Sequence, residues 1–138
     1  SSISYTGNNR THMIRIPAAG RFELRLMDGS SNPYLLQAGI IAAGLHGINN
    51  KINPGEPLSC NMYTDYDNYP NLQKLPDQII EALDFLKNSK ELREAFGNDV
   101  INSFIKLKNI EIEDFNKQEH FDKESGVTSW EKNNTLDC

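Results

Sequence analysis

The chain has 138 residues, with 14 Lys+Arg against 19 Asp+Glu for a formal net charge of −5, enough sequence for one modest core. At 38% hydrophobic and 24% charged it sits in the ordinary globular range, which excludes pervasive disorder, a collagen-like repeat and a disulfide scaffold. Cys60 and Cys138 are too few and too far apart for a disulfide framework or a zinc site, which favours a reducing compartment. No basic start followed by an apolar run marks a secretory leader. The longest apolar run, Tyr34 to Leu45, is interrupted by Gln37 and falls short of the ~20 residues a spanning helix needs. The expectation is a cytoplasmic chain with no membrane partner.

Charge is unevenly distributed. Residues 1–31 hold Arg10, Arg15, Arg21 and Arg25 against Glu23 and Asp28, four positive and two negative for +2, which leaves −7 on the remainder. Four of the five arginines fall in sixteen consecutive positions, and no lysine precedes Lys51. Arginine offers a planar fork of donors matched to carboxylate and phosphate and stays charged at any relevant pH. A nucleic-acid surface would mix Lys with Arg over a wide basic face, so no nucleic-acid partner is expected, and a small anion suits these arginines better.

In chain order, residues 1–9 read as a polar loop or frayed strand. Met13 to Ile16 and Phe22 to Leu26 alternate apolar and polar residues, predicting two strands with one polar face each. An antiparallel hairpin that brings both apolar faces to one core pairs Ile16 with Phe22 and Ile14 with Leu24. That register leaves Ala18, Ala19 and Gly20 as a three-residue loop, and sets Arg15 opposite Glu23 and Met13 opposite Arg25. One face then presents Arg15, Arg21, Glu23 and Arg25 together.

Asp28 to Ser31 reads as a turn and cap, with Pro33 near the first helical position. Tyr34 to Ile48 is apolar nearly all round, the pattern of a buried helix, and its Ala and Gly residues would let neighbours approach closely. Residues 49–75 show little periodicity and read as a long ordered surface loop. Pro76 is expected to open a helix with Ile79, Ile80, Leu83 and Leu86 on one stripe. A short helix capped by Ser89 and stopped at Gly97 follows, then one capped by Asn98 with Val100, Ile101, Phe104, Ile105 and Ile112 inward. Residues 111–124 are strongly acidic and read as a solvated helix end and link. Thr128 or Ser129 could cap a last helix carrying Trp130, the only tryptophan. The fold class is therefore α+β: a short antiparallel hairpin, part of a larger curved sheet, over residues 1–31, backed by the mainly helical 32–138.

Asn8-Asn9-Arg10, Arg15-Ile16-Pro17, Arg21-Phe22-Glu23-Leu24-Arg25, Asp28-Gly29, Asn32-Pro33-Tyr34-Leu35, Ala43-Gly44-Leu45-His46-Gly47-Ile48 and Lys51-Ile52-Asn53-Pro54-Gly55-Glu56 form an ordered series. This series closely resembles the C-terminal part of the catalytic domain of glutamine synthetases, and Asn8 to Arg15 looks most like the divergent bacterial branch called type III. The resemblance is strong over residues 7–56 and looser beyond. It implies an ATP-dependent ligase that phosphorylates the side-chain carboxylate of glutamate and lets ammonia displace the phosphate, in a cytoplasmic homo-oligomer using Mg²⁺ or Mn²⁺. By the same resemblance, Arg10 and Arg15 contact transferring phosphate and substrate oxygens, and Arg15 and Arg21 contact the nucleotide. Arg10 and Arg25 bind substrate, Arg25 through a glutamate carboxylate, and Glu23 is a metal ligand. One departure is the short Ala18-Ala19-Gly20 turn, where many relatives carry a longer loop with a lysine near the nucleotide. Family members are several times longer, and their remaining metal ligands precede the segment matched here, so no turnover is expected from this chain alone.

Blander readings stand beside these. Arg15, Glu23 and Arg25 form a cross-strand ion-pair ladder on a solvated face under the pattern alone. His12 alternates onto the side of Ile14 and Ile16, favouring a packed histidine over a ligand. His46 is most simply a helix-end residue. Tyr63 stands near the position where some bacterial relatives are nucleotidylated, but with different neighbours. Trp130 reads as a packing anchor. Two rival functions remain: a γ-glutamyl ligase for an organic amine, and a non-catalytic assembly or regulatory module.

Overall fold

A computed structural model describes residues 2–117 and 126–135. The fold is α+β: a three-stranded sheet and five α-helices among the described residues. The chain divides into two compact units, Ser1–Asp28 with Asn53–Glu81, and Gly29–Ile52 with Ala82–Cys138.

The first unit carries the sheet. Strand β1 (Tyr5–Thr6) runs parallel to β2 (Ile14–Ala18), which runs antiparallel to β3 (Arg21–Leu24), in the order β1-β2-β3. Ile14 faces Leu24 and Arg15 faces Glu23, and the Arg25 N–H donates to the Met13 carbonyl at 2.9 Å, as the alternation requires. The turn departs from expectation. Ala18 pairs with Arg21, so Ala19 and Gly20 form a two-residue turn with Gly20 at φ +75°, a left-handed conformation open to glycine at no steric cost. The extra residue is absorbed upstream, where Ile16 and Pro17 together stand against Phe22 in a bulge. Proline lacks the N–H that a regular ladder position would donate, so the bulge falls where the ladder can lose a bond.

Among the described residues the hairpin's apolar side is only partly covered, Ile14 and Leu24 being half-buried. Phe22 is 58% exposed, and Ile16 and Leu26 are also exposed. The buried residues of the unit lie elsewhere: Ser2, Ser4, Thr6, His12 and Met62. Residues 53–75 are thus more than a surface covering. This stretch contains a short 3₁₀ turn (Tyr66–Asn68), brings Met62 inside, and meets the N-terminus through a Ser2–Lys74 bridge and an Ile3 N–H to Gln73 carbonyl bond of 2.8 Å.

The second unit is helical. Helix α1 (Pro33–Asn49) begins with proline in its first turn, but the cap is Asn32, whose side-chain oxygen accepts from the N–H groups of Tyr34 and Leu35, both at 3.0 Å. The cap therefore lies one residue past Asp28–Ser31. No residue of α1 is buried, against the expectation from its all-round apolar sequence. A Cβ added at Gly39 or Gly44 would meet nothing within 4 Å, so the small residues admit no close neighbour here.

Helix α2 (Ile79–Asn88) starts three residues after Pro76 and buries Leu83, whereas Ile79 and Ile80 are exposed. Helix α3 (Lys90–Phe96) is capped by Ser89, whose hydroxyl accepts from the Leu92 N–H, and ends at Gly97 with φ +82°. Helix α4 (Asn98–Asn116) takes Gly97, not Asn98, as its N-cap. Arg93 Nη1 donates to the Asn98 side-chain oxygen at 3.0 Å, and no side-chain bond caps the helix. Ile101 is buried, and together with Leu35, Leu86, Leu92, Phe96 and Phe104 it lines an apolar cavity of about 160 Å³. Helix α5 (Ser129–Asn134) opens with a capping box between Thr128 and Glu131, and Trp130 packs edge-on against Phe115 at 5.6 Å. The acidic stretch lies partly, and Cys138 wholly, outside the described residues.

Candidate functional site

The site grows from the hairpin register. Side chains two apart on a strand share a face, and directly opposed residues on paired strands meet, so Arg15 on β2 must meet Glu23 on β3, with Arg21 and Arg25 flanking it. Arg15 Nη1 donates to both Glu23 oxygens, at 2.5 and 2.9 Å. The rest of its fork, Nε at 3.0 Å and Nη2, donates to Asn8 Oδ1. Asn8 follows β1, whose parallel pairing holds it against Arg15. Arg21 Nη2 lies 3.4 Å from Glu23 Oε1, and Arg25 Nη1 lies 4.0 Å from Oε2.

Four of the five sequence candidates, Arg15, Arg21, Glu23 and Arg25, thus meet on one face. Arg15 is the most buried of the three arginines, its side chain only 13% exposed, whereas the Arg21 guanidinium stands largely in solvent with donors to spare. The Glu23 carboxyl is held below its ordinary range chiefly by the Arg15 hydrogen bond, which outweighs the opposing effect of burial, and further by the charges of Arg15, Arg21 and Arg10. Three guanidinium groups around one carboxylate leave the face positive, suited to an incoming anion.

Arg10 lies apart from the Glu23 contacts. It lines a cleft of about 400 Å³ in the same unit, together with Arg25, His12, Met62, Tyr66 and Lys74. The loop bearing Arg10 is clasped to residues 60–62. Asn9 Nδ2 donates to the Cys60 carbonyl at 2.9 Å, Thr11 Oγ1 donates to Asn9 Oδ1 at 2.9 Å, and the Met62 N–H donates to Thr11 Oγ1 at 3.0 Å. His12 is 2% exposed, and its Nε2–H donates to the same Cys60 carbonyl at 2.9 Å. A carbonyl only accepts, so in the neutral ring Nδ1 accepts from the Ser4 hydroxyl at 3.1 Å. The packed reading of His12 is the one realised. His46 sits in the last turn of α1 beside Asn50, Tyr63 is exposed, and Trp130 is the anchor expected.

Sequence reasoning missed the roles of Asn8, which completes the Arg15 fork, and Lys74, which joins the Arg10 cleft. The first carries a local signal, its position just after a short strand. Lys74 lies 49 residues from Arg25 in a stretch without periodicity, so no sequence signal points to it.

A divalent cation of the Mg²⁺ type takes about six oxygen ligands. Among the described residues, no three His, Cys, Asp or Glu side chains gather in one place, and both oxygens of Glu23 already accept from Arg15. These residues do not by themselves fit such an ion; Glu23 could supply only one of its ligands. Also among the described residues, no helix is long and apolar enough to cross a membrane.

Comparison with known proteins gives the same direction. Residues 1–126 match the family profile "Glutamine synthetase, catalytic domain". A glutamine synthetase of Rhizobium meliloti is 44% identical over 99% of this chain, and a glutamate–methylamine ligase of Methyloversatilis universalis is 38% identical over 98%. A solved GmaS/ADP complex superposes with a TM-score of 0.80 at 42% identity over 99% of the chain. The chain spans about 30% of the length of each of the first two curated relatives it matches and 30% of that solved chain. On the matched profile, the ordered series of motifs and the fold they adopt, the chain belongs to the glutamine synthetase family.

Proposed function

We propose that this chain supplies the arginine-rich wall of the active site of an ATP-dependent ligase that joins ammonia to the γ-carboxylate of glutamate, as part of a longer enzyme and without turnover on its own. The observation that carries the reading is the Glu23 carboxylate gripped by Arg15, with Arg21 and Arg25 on the same face. A glutamate γ-carboxylate oxygen attacks the γ-phosphorus of ATP, the bond to ADP breaks, and ammonia then displaces phosphate from the acyl phosphate. Such transfers are catalysed mainly by positioning and by fixed positive charge around the moving phosphoryl group. Arg10 and Arg15 are assigned to the transferring phosphate and substrate oxygens, Arg15 and Arg21 to the nucleotide phosphates, and Arg25 to a glutamate carboxylate. Glu23 keeps Arg15 oriented and, in the longer enzyme, contributes one oxygen to a Mg²⁺ or Mn²⁺ ion whose other ligands lie outside this chain. The assembled enzyme is a cytoplasmic homo-oligomer on this reading.

Co-expression with the part of the catalytic domain that precedes this segment in longer relatives should give ATP- and glutamate-dependent phosphate release, and Glu23→Ala should abolish it. Activity that survives this change would overturn the role of Glu23. Binding to the co-expressed part without turnover would favour the assembly module instead.

A second reading changes only the acceptor, to an organic amine. It is favoured by the glutamate–methylamine ligase relative and by the superposition on GmaS. Rates with ammonia, methylamine and putrescine in the reconstituted enzyme distinguish the two.

A further inference from the structure

The cleft that holds Arg10 and Arg25 has a third cation that neither the motif series nor the proposed reaction uses. Lys74 reaches it from the long 53–75 stretch, and three features fix it there. Its backbone bridges to Ser2, and its neighbour Gln73 accepts the Ile3 N–H at 2.8 Å. Its ammonium stands 5.1 Å from the centre of the Tyr66 ring, within cation–π range. Tyr66 in turn belongs to a 3₁₀ turn that the Tyr69 N–H closes on the Tyr66 carbonyl at 3.0 Å. The hydroxyl of Tyr66, then the charges of Asp77 and Asp67, hold Lys74 in its ammonium form.

The lining is out of balance. Arg10, Arg25 and Lys74 face it against the single carboxylate of Asp77, and His12 has both ring nitrogens committed to Ser4 and Cys60. Three cations drawn from positions 10, 25 and 74 of the sequence line the cleft against one lining carboxylate, with Glu23, 4.0 Å from Arg25 Nη1, and Asp67, whose charge acts on Lys74, outside the lining. Like charges gathered in one cleft repel, and a ligand bearing two negative charges offsets more of that repulsion than a ligand bearing one.

We propose that Lys74 completes, with Arg10 and Arg25, a binding cleft for a small dianion, a dicarboxylate or a phosphate, and that it sets the preference for two charges over one. The proposal rests on the reading of Arg25 as a carboxylate-holding residue and adds a specificity-determining residue to it. Lys74 does not take part in the reaction itself. Its exposed position lets it be changed without disturbing a packed interior.

The cleft contains its own reporters. Met13 and Met62 line it, and Met27, the remaining methionine, is not among its lining residues. The 138-residue chain, with ¹³C-methyl-labelled methionine, is titrated at pH 8 and constant ionic strength with inorganic phosphate, glutarate and acetate. Saturable shifts of Met13 and Met62 are expected with phosphate or glutarate and not with acetate, Met27 staying still, and the tighter of the two dianions identifies the source. Losing one exposed charged partner corresponds to about two- to fivefold in affinity, so Lys74→Gln should raise Kd by that factor, with Lys74→Arg restoring it and circular dichroism unchanged in both.

Equal affinity in Lys74→Gln, shifts at Met27 as large as at the cleft, or no saturable binding in the wild type would each overturn the proposal. Arg25→Gln tells the two readings apart. If it abolishes binding while Lys74→Gln does not, the inference about Lys74 fails and the role of Arg25 stands. If Lys74→Gln weakens binding while Arg25→Gln leaves it intact, Lys74 stands and the assignment of Arg25 fails.

Discussion

Arg15 and Glu23 face each other across the β2–β3 ladder, and Arg15 Nη1 bridges both carboxylate oxygens while its remaining donors hold Asn8. This bond is the main reason that the Glu23 carboxyl lies below its ordinary value of 4.5. Removing it in Arg15→Gln should return the Glu23 pKa upward, which a ¹³C carboxyl titration reads directly. Arg21 and Arg10 still contribute to the lowering, so the recovery should be partial. A Glu23 pKa unchanged by the substitution would mean that the bond is not made in solution.

Linkage gives the same pair a pH signature. A carboxyl whose pKa is lower folded than unfolded stabilises the fold above its unfolded value and loses that contribution as pH falls through the folded value. For Glu23 the loss therefore begins near pH 4.5 and continues below it. Thermal unfolding of the wild type should be steeper in pH below that point than that of Glu23→Gln, which has no charge to lose. Matching profiles would count against the ion pair as a stabilising contact.

Glu131 makes a second, separable acid-sensitive contact. Its pKa is lowered by the Thr128 backbone N–H first, a bond of the capping box, and by the Thr128 hydroxyl second, while the box is closed by the Glu131 N–H donating back to Thr128 Oγ1 at 3.1 Å. Losing an N-cap costs about 1 kcal/mol, a large fraction of what holds a six-residue helix. Thr128→Ala at neutral pH, and acidification of the wild type below the ordinary carboxylate range, should both fray α5 and loosen the Trp130–Phe115 contact. Tryptophan fluorescence measures this, and an unshifted spectrum in Thr128→Ala would show that the box does not hold the helix.

The end of α1 offers a stabilising change. The Ile52 N–H reaches back to the Gly47 carbonyl at 2.9 Å and the Lys51 N–H to Ile48 at 3.1 Å, the bond pair of a Schellman motif. The residue that must turn left-handed there is Lys51, at φ 50°, where glycine is the usual occupant. A left-handed non-glycine residue costs roughly 1–2 kcal/mol, partly offset by the greater unfolded-state freedom of glycine. Lys51→Gly should therefore raise the thermal midpoint of the helical signal by an amount equivalent to about 0.5–1 kcal/mol. A lower midpoint would show that the Lys51 side chain contributes more than its backbone strain costs.

The sequence made the hairpin and its polar face legible because both follow from a period of two and from pairing. Once Ile14 stands against Leu24, Arg15 can only meet Glu23. The bulge at Ile16 and Pro17 needed one more step, that proline cannot donate where the regular ladder asks it to. Contacts that depend on distant chain were harder to read. Lys74 reaches the Arg10 cleft through a stretch whose path is set by the Ser2 bridge and the Cys60–Met62 clasp, and neither leaves a periodic trace. The apolar pattern of α1 states that the helix needs covering but does not say by what, which is why its exposure within this chain could not be read from its own residues.

That exposure has a consequence for the chain in solution. Tyr34, Ile41, Leu45 and Ile48 are 83%, 61%, 53% and 73% exposed, and their spacings of seven, four and three residues put them along one side of α1. An uncovered apolar stripe of this length is rare on a monomeric protein, because burying it releases water at about 25 cal/mol per Å². Self-association of the isolated chain through this stripe is therefore expected, seen as a sedimentation coefficient that rises with concentration. Ile41→Glu and Ile48→Glu together place charges seven residues apart on the same stripe and should shift the chain toward monomer without loss of helical signal, since both positions are solvent-facing. A wild-type chain that sediments as one monomeric species at every concentration would overturn self-association through α1.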